Sequence, residues 1–137
     1  MIAIVCIDDQ AGLMFNHRRQ SKDRILLEKV LLITKGNRLF VSPYSAKQFS
    51  AEEQKKFFVA EACFTQAGPG DYCFAEDLPV NISDSNLESI VVFRWNRIYP
   101  ADTFFDLSAL ETNWNKCLLE DFAGNSHKKI TMEVYTR

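Results

Sequence analysis

Short, uninterrupted apolar runs separated by polar segments recur along the chain, and this pattern predicts buried β-strands. The runs at 2–7 (IAIVCI), 38–41 (RLFV) and 89–96 (SIVVFRWN) are rich in β-branched or aromatic residues. Strands that are covered on both faces, as in parallel sheets, have this composition. A further strand is predicted at 71–77 (DYCFAED).

The segments between these strands carry helix signals. Ser21 is a candidate N-cap, Asp23 lies in the expected first turn, and the apolar face of 25–33 (ILLEKVLLI) predicts a helix. A short helix is predicted within 42–49 (SPYSAKQF) and another at 50–58 (SAEEQKKFF). The pattern leaves two segments open, because 59–65 fits a strand or a helix tail and 79–88 fits a loop or a brief helix.

The last ten residues change character and alternate between apolar and polar positions. In 128–137 (KKITMEVYTR) Ile130, Met132 and Val134 face one way and Thr131, Glu133 and Tyr135 the other, which predicts an antiparallel strand with one wetter face. Its partner is predicted at 114–121 (WNKCLLED), across the FAGNS loop. We therefore expect a single α/β domain over residues 1–137, with a mostly parallel sheet, flanking helices and an antiparallel C-terminal hairpin.

Composition narrows the class of protein. A chain of 137 residues with 47% hydrophobic residues has the size and balance of one globular domain. Its net charge of −2 argues against broad coating of nucleic acid. The four cysteines show no Cys-x-x-Cys spacing and there are two histidines, so we predict reduced packing cysteines and no metal site. No signal peptide or transmembrane run is visible, and a cytoplasmic location is expected.

Positive charge is concentrated between the first strand and the first helix. The segment 15–24 (FNHRRQSKDR) has four basic residues and one acid, a local charge of +3. Open α/β sheets bind ligands at the carboxyl ends of their strands, and helix N-termini favour anions. This segment is therefore a candidate anion site, and the alternative is a solvated loop in which Arg24 pairs with Glu28.

Two other strand ends add candidate ligand-binding residues. Arg94 and Asn96 share one face of the predicted strand 89–96, and Arg94 is expected to complete a pocket with the basic segment. Hydroxyl groups follow the strand at 38–41. The complete candidate set is Asn16, Arg18, Arg19, Ser21, Asp23, Tyr44, Ser45, Arg94 and Asn96.

Nucleophilic catalysis is not expected from the sequence. His127 has no Asp or Ser partner that spacing would identify, and structural or solvent roles are favoured for both His17 and His127. No Ser-His-Asp or Gly-x-Ser-x-Gly arrangement is visible.

The two ends of the chain resemble dihydrofolate reductases. The resemblance rests on RWNRIYPADTFFDL (94–107) and the closing NSHKKITMEVYTR (125–137), and on an opening strand followed by Asp9, Gly12 and Asn16. It implies that Asp23 occupies the position of the family's buried acid, as a binding group or weak candidate catalytic residue.

The middle of the chain departs from that family. SPYS (42–45) stands where the family has the Gly-Arg-x-Thr turn, and FAED (74–77) stands in place of consecutive glycines. The substrate-loop tryptophan is replaced by HRRQS (17–21), and Phe93 or Arg94 stands where the family has a threonine. The departures imply that the NADPH site is lost and that no cofactor binds.

These features give three functional expectations. The first is a small anionic or nucleotide-like ligand bound at the strand-end pocket, without NADPH-dependent reductase activity. The second is a diverged pterin- or folate-type reductase with Asp23 as proton donor. The third is binding of RNA or a phosphorylated partner through the basic loop 16–24.

Overall fold

The computed structural model describes residues 1–137, which fold into two β-sheets with helices packed around them. The ten strands are β1 Ile2–Ile7, β2 Gly12–Phe15, β3 Arg18–Arg19, β4 Leu39–Val41, β5 Phe58–Val59, β6 Tyr72–Phe74, β7 Ser89–Arg94, β8 Thr103–Phe104, β9 Asn115–Phe122 and β10 Ile130–Thr136. The helices are α1 Arg24–Ile33, α2 Pro43–Ala46, α3 Cys63–Gln66 and α4 Leu107–Asn113, with a 3-10 turn at Glu53–Lys56.

The main sheet has seven strands in the order β5-β4-β6-β1-β7-β10-β9. Strand β1 is central and pairs in parallel with β6 and β7, and β4 pairs in parallel with β5 and β6. Strand β10 is antiparallel to both β7 and β9. The predicted α/β class, the mostly parallel sheet and the C-terminal antiparallel hairpin are therefore confirmed.

A second, small sheet stands in the segment that was expected to be a loop. Strands β3, β2 and β8 form it, with β2 antiparallel to both neighbours. Asn16 and His17 have φ of 52° and 61°, the positive values that a two-residue type I′ hairpin turn requires. The hairpin was not predicted from the sequence, because its strands are too short to show a period.

The helices differ from the prediction in several places. Asp23, rather than Ser21, caps α1, and the helix expected at 50–58 is only a 3-10 turn followed by β5. Helix α4 was not predicted, and the segment 79–88 contains no helix. The undecided segment 59–65 contains the last residue of β5 and the start of α3.

Two apolar clusters cover the two faces of the main sheet. One packs α1 against β1, β6 and β7 and includes Phe74, Phe93 and Trp95. The other lies on the opposite face, beneath α3 and α4, and includes Val92 and Tyr135. None of the helices is long and apolar enough to cross a membrane.

Truncating a core aromatic residue tests this packing. Phe74 is fully buried in β6, so we expect Phe74→Ala to lower the free energy of unfolding by about 3–5 kcal/mol, through lost burial and the cavity left behind. Phe104→Ala is the matched control, because Phe104 is 57% exposed in β8. Urea unfolding of both variants measures the difference. Equal losses in the two variants would contradict the assigned core.

Candidate functional site

A narrow cavity opens at the carboxyl ends of β1 and β6, and we call it the strand-end cavity. Its apolar wall consists of Ile4, Leu13, Leu78, Val80 and Trp95 with the Cys6 thiol, and its polar wall of Arg19, Gln20, Ser21 and Glu76. Sheets of this kind bind ligands at such a position, between neighbouring parallel strands. Two residues predicted for the site, Arg19 and Ser21, line it.

The positive charge of Arg19 is balanced inside the protein. Its Nε atom lies 3.2 Å from a carboxylate oxygen of Glu76, and its guanidinium stacks over the Tyr44 ring at 4.5 Å from the ring centroid. The Arg19 backbone N–H also donates to the Tyr44 hydroxyl at 2.8 Å. An anionic ligand would have to compete with Glu76 for this arginine.

Glu76 is also held by neighbouring polar side chains. The Ser45 hydroxyl donates to it at 2.9 Å and the Gln48 amide at 2.8 Å, while the Glu76 N–H donates to Ser45 Oγ at 3.0 Å. Burial raises the pKa of the Glu76 carboxyl, and Arg19 counters part of this effect. Tyr44 and Ser45 thus belong to the candidate site as supports of this ion pair.

Gln20 contributes an unusual polar atom to the same cavity. Its Nε2 donates to Asp8 Oδ2 at 3.1 Å and to the Pro100 carbonyl at 3.4 Å. These two acceptors fix the orientation of the amide and leave Oε1 buried without a hydrogen-bond partner. Such an atom is rare in native structures and calls for an explanation, such as a bound molecule.

Asp23 is fully buried and its carboxylate is saturated with donors. Oδ1 accepts from the N–H groups of Ile25, Leu26 and Asn125, and Oδ2 accepts from the Ser126 N–H and hydroxyl. A ring nitrogen of His127, Nδ1, lies 3.0 Å from the same Oδ2. Asp23 therefore caps α1 and fastens the 124–127 loop to it.

The pKa of Asp23 follows from these contacts. Burial raises the pKa, but the hydrogen bonds from His127, Ser126 and Asn125 outweigh it and place the pKa well below the ordinary value. The fit is close, because a Cβ on Gly124 would overlap the Asp23 carboxylate. The group is therefore a buried carboxylate at neutral pH.

His127 joins Asp23 to two hydroxyl groups. Its Nε2 lies 3.2 Å from Ser21 Oγ and 2.9 Å from the Tyr99 hydroxyl. The imidazole stacks on the Trp95 ring with 4.6 Å between centroids. The expectation that His127 lacks an Asp or Ser partner is therefore wrong, and a Ser-His-Asp arrangement is present in the fold.

Arg94 does not share a pocket with Asp23. It lies on the same face of β7 as Val92, whereas α1 and Asp23 lie on the opposite face of the sheet. Its Nε is 2.7 Å from Glu133 Oε1, and Lys116 holds the other oxygen of that carboxylate at 2.7 Å. The shared pocket expected from the sequence is wrong, since it ignored which face of the strand each residue occupies.

The remaining predicted residues lie outside the cavity. The Asn16 N–H donates to Asp102 Oδ2 at 3.0 Å, which ties the β2–β3 turn to the segment before β8. Asn96, with φ of 60°, donates from Nδ2 to the Lys129 carbonyl and to Thr131 Oγ1. Arg18 is exposed on β3. The structure gives these three residues turn and surface roles.

Three residues of the site were missed from the sequence, namely Gln20, Glu76 and His127. Glu76 could have been identified from the sequence, because an acid that follows a central strand lies at the same sheet edge as the basic loop. Gln20 and His127 had no local signal. His127 lies 104 positions from Asp23 along the chain, and only the tertiary fold brings them together.

The Asp23 contacts predict a pH-dependent contribution to stability. We expect Asp23→Asn to lower the free energy of unfolding at neutral pH by about 3 kcal/mol, because the amide NH2 group would face hydrogen-bond donors that the carboxylate now accepts. The folded-state pKa is depressed, so the contribution is present above the unfolded-state pKa of about 3.9 and is lost as the pH falls towards the folded-state value. The difference in the free energy of unfolding between wild type and Asp23→Asn should therefore become smaller below about pH 4.

Urea unfolding of wild type and Asp23→Asn, from neutral pH to below about pH 4, measures this difference in the free energy of unfolding. Asp9→Asn is the matched control, since Asp9 is exposed, and it should show little difference from wild type at any pH. A gap for Asp23→Asn that stays constant from neutral to acidic pH would contradict the prediction.

Comparison with known proteins supports the fold. No protein-family model matches the chain, and no curated protein matches it. Among solved structures, a dihydrofolate reductase from Enterococcus faecalis, complexed with NADP(H) and RAB-propyl, superposes with a TM-score of 0.60 at 13% sequence identity. The match covers 99% of this chain and 95% of that one. At this identity the likeness concerns the fold alone: the chain has a dihydrofolate reductase-like fold, as its two ends predicted.

Proposed function

We propose that the protein binds a small, nucleobase-like heterocycle in the wider groove of about 440 Å³ that adjoins the strand-end cavity at Leu13, Glu76 and Val80, and that it does not catalyse NADPH-dependent reduction. The observation that carries this proposal is Gln20, which lines the cavity and whose buried Oε1 accepts no hydrogen bond from the protein. A ring N–H of a heterocycle would supply the missing donor. The apolar side chains opposite, Leu13 and Val80 among them, suit the faces of a planar ring.

The charges around the cavity favour a ligand that donates hydrogen bonds over an anion. Glu76 offsets Arg19 within the cavity. A wider groove continues from it and shares Leu13 and Glu76 with it, and this groove adds the carboxylates of Asp77 and Asp106. Of the anionic and nucleotide-like ligands expected from the sequence, the base portion of a nucleotide fits these surroundings better than a phosphate.

Two observations weigh against a reductase. Asp23 has no oxygen free to bind a substrate ring, because six hydrogen-bond donors already contact its carboxylate. The turns expected to face a cofactor phosphate are occupied as well, since Ser42 Oγ donates to Asp77 Oδ1 at 2.7 Å and Ser45 binds Glu76. The proposal therefore includes no cofactor.

The basic loop offers little to RNA or to a phosphorylated partner. Arg19 pairs with Glu76, and Arg24 lies 3.8 Å from Glu28 on α1. Arg18 and Lys22 are the basic residues of the segment that make no ion pair. Two unpaired positive charges would contribute little to binding, because nucleic-acid-binding proteins make many contacts with phosphates.

Thermal unfolding with nucleosides tests ligand binding. Adenosine, guanosine, cytidine and uridine are compared with their 5′-monophosphates. A ligand at 100 times its Kd adds about 2.7 kcal/mol, which shifts the Tm of a domain of this size by roughly 10 °C. We expect at least one nucleoside to raise the Tm as much as its monophosphate does. A response to monophosphates alone would restore the anionic ligand, and no response at all would overturn the proposal.

Val80→Phe locates the binding site. Val80 lines both the cavity and the adjoining groove, so the larger side chain should fill the shared space and abolish the nucleoside-induced shift. Val59→Phe is the matched control, because Val59 is 51% exposed on the edge strand β5. Binding that survives Val80→Phe would place the ligand elsewhere.

Reductase activity is tested separately. The protein incubated with NADPH and dihydrofolate should leave the NADPH absorbance unchanged, and NADPH alone should give no thermal shift beyond that of an adenosine nucleotide. Turnover that Asp23→Asn abolishes would reinstate the reductase hypothesis.

A further inference from the structure

We propose that Ser21, His127 and Asp23 form a nucleophilic acyl-transfer site, with Ser21 Oγ at the strand-end cavity. The three side chains form one continuous chain of contacts: Ser21 Oγ to His127 Nε2 at 3.2 Å, and His127 Nδ1 to Asp23 Oδ2 at 3.0 Å. Serine hydrolases of unrelated folds share this order of nucleophile, base and carboxylate, which is recognised by geometry rather than sequence position.

The contacts of Asp23 fix the protonation pattern that this chemistry requires. Asp23 is ionised and only accepts hydrogen bonds, so the proton is assigned to His127 Nδ1, which donates to the carboxylate. Ser126 Oγ also lies 3.0 Å from Nδ1, and its own proton goes to Asp23 Oδ2 or to the Lys22 carbonyl. The other ring nitrogen, Nε2, then has a lone pair directed at hydroxyl groups. A base in this tautomer can accept the Ser21 proton, and the imidazolium that forms is stabilised by Asp23.

The imidazole is held in one orientation. Its ring stacks on Trp95, and the Tyr99 ring meets it nearly edge-on, with an interplanar angle of 75°. The Asp23 partner is fixed in turn by the N–H groups of Asn125 and Ser126. Preorganisation of this kind by packing and neighbouring hydrogen bonds is what positions a catalytic base.

Tyr99 competes with Ser21 for the base. Its hydroxyl lies 2.9 Å from Nε2, and Nε2 has a single lone pair, so only one of the two hydroxyl groups donates to it at a time. Ser21 lines the cavity and Tyr99 does not. A substrate that enters the cavity therefore reaches Ser21, and the Tyr99 hydroxyl restrains the reactivity of the pair.

The reaction balances without a cofactor. Ser21 Oγ bonds to the carbonyl carbon of an ester and its proton moves to His127 Nε2. The alcohol leaves with that proton when the carbon–oxygen ester bond breaks, and water then hydrolyses the acyl-serine by the same route. The backbone N–H groups of Ser21 and Lys22 donate to no protein acceptor, and free N–H groups next to a nucleophile stabilise an oxyanion where they face it.

The cavity selects the class of substrate. It is narrow, and Ile4, Leu13 and Leu78 form much of its apolar wall. The ion pair between Arg19 and Glu76 leaves no unbalanced charge on its polar wall. The volume of about 20 Å³ restricts the substrate to an ester with the smallest uncharged acyl groups, such as acetyl, whose alcohol portion lies in the wider groove of about 440 Å³. The inference shares this groove with the proposed function but does not depend on nucleoside binding there.

Labelling with a fluorophosphonate probe tests the nucleophile. The wild-type protein should be labelled at one position, and peptide mapping should place the label on Ser21. Ser21→Ala should lose labelling and lower the rate of p-nitrophenyl acetate hydrolysis at least tenfold. Ser108→Ala is the matched control, since Ser108 is exposed on α4, and it should behave as wild type.

A second variant tests the base independently of Ser21. Tyr99→Phe removes the competing hydroxyl, so Ser21 should be labelled faster than in wild type, with the same mapped position. No label on Ser21 in wild type, or slower labelling of Tyr99→Phe, would overturn the inference. Nucleoside-induced shifts of the wild-type protein separate the two proposals, because they do not require a reactive Ser21.

Discussion

The buried carboxylate of Asp23 is the interaction on which the site depends. It caps α1 and accepts hydrogen bonds from the loop that joins β9 to β10, so it links the first helix to the last hairpin of the chain. A buried charge is tolerated only when hydrogen bonds and an opposite charge or dipole compensate its desolvation. The helix N-terminus, two backbone N–H groups and His127 provide that compensation, and they fix His127 against Trp95 as a consequence.

The same arrangement encloses the Asp23 carboxylate. An acid in that position could serve a substrate only with an oxygen directed into an open cleft, whereas Asp23 is enclosed and saturated. The polar groups that do reach the strand-end cavity are Gln20, Ser21 and the Arg19–Glu76 pair. The chemistry available to a ligand has therefore moved from the carboxylate to a serine, an amide oxygen and an ion pair of no net charge.

Charge balance recurs at two buried acids of the main sheet. Arg19 meets Glu76, while Arg94 and Lys116 meet Glu133 on the other face of the sheet. Both acids are largely buried, and a buried acid of this kind needs its basic partner to remain ionised. The arginines are consequently part of the structure around the cavity and are not free to bind a phosphate.

The sequence by itself determined the fold class, because the hydrophobic period and the composition of strands are local properties. The runs at 2–7 and 89–96 form central strands, and the alternating segment at 128–137 forms the final antiparallel strand. It also predicted Arg19, Ser21, Tyr44 and Ser45 near a strand-end site. Only the tertiary structure decided which face of β7 carries Arg94 and which acid meets Arg19. It alone brought His127 to Asp23 and Ser21, since contacts between residues 104 and 106 positions apart depend on strand order and loop closure, which no local pattern encodes.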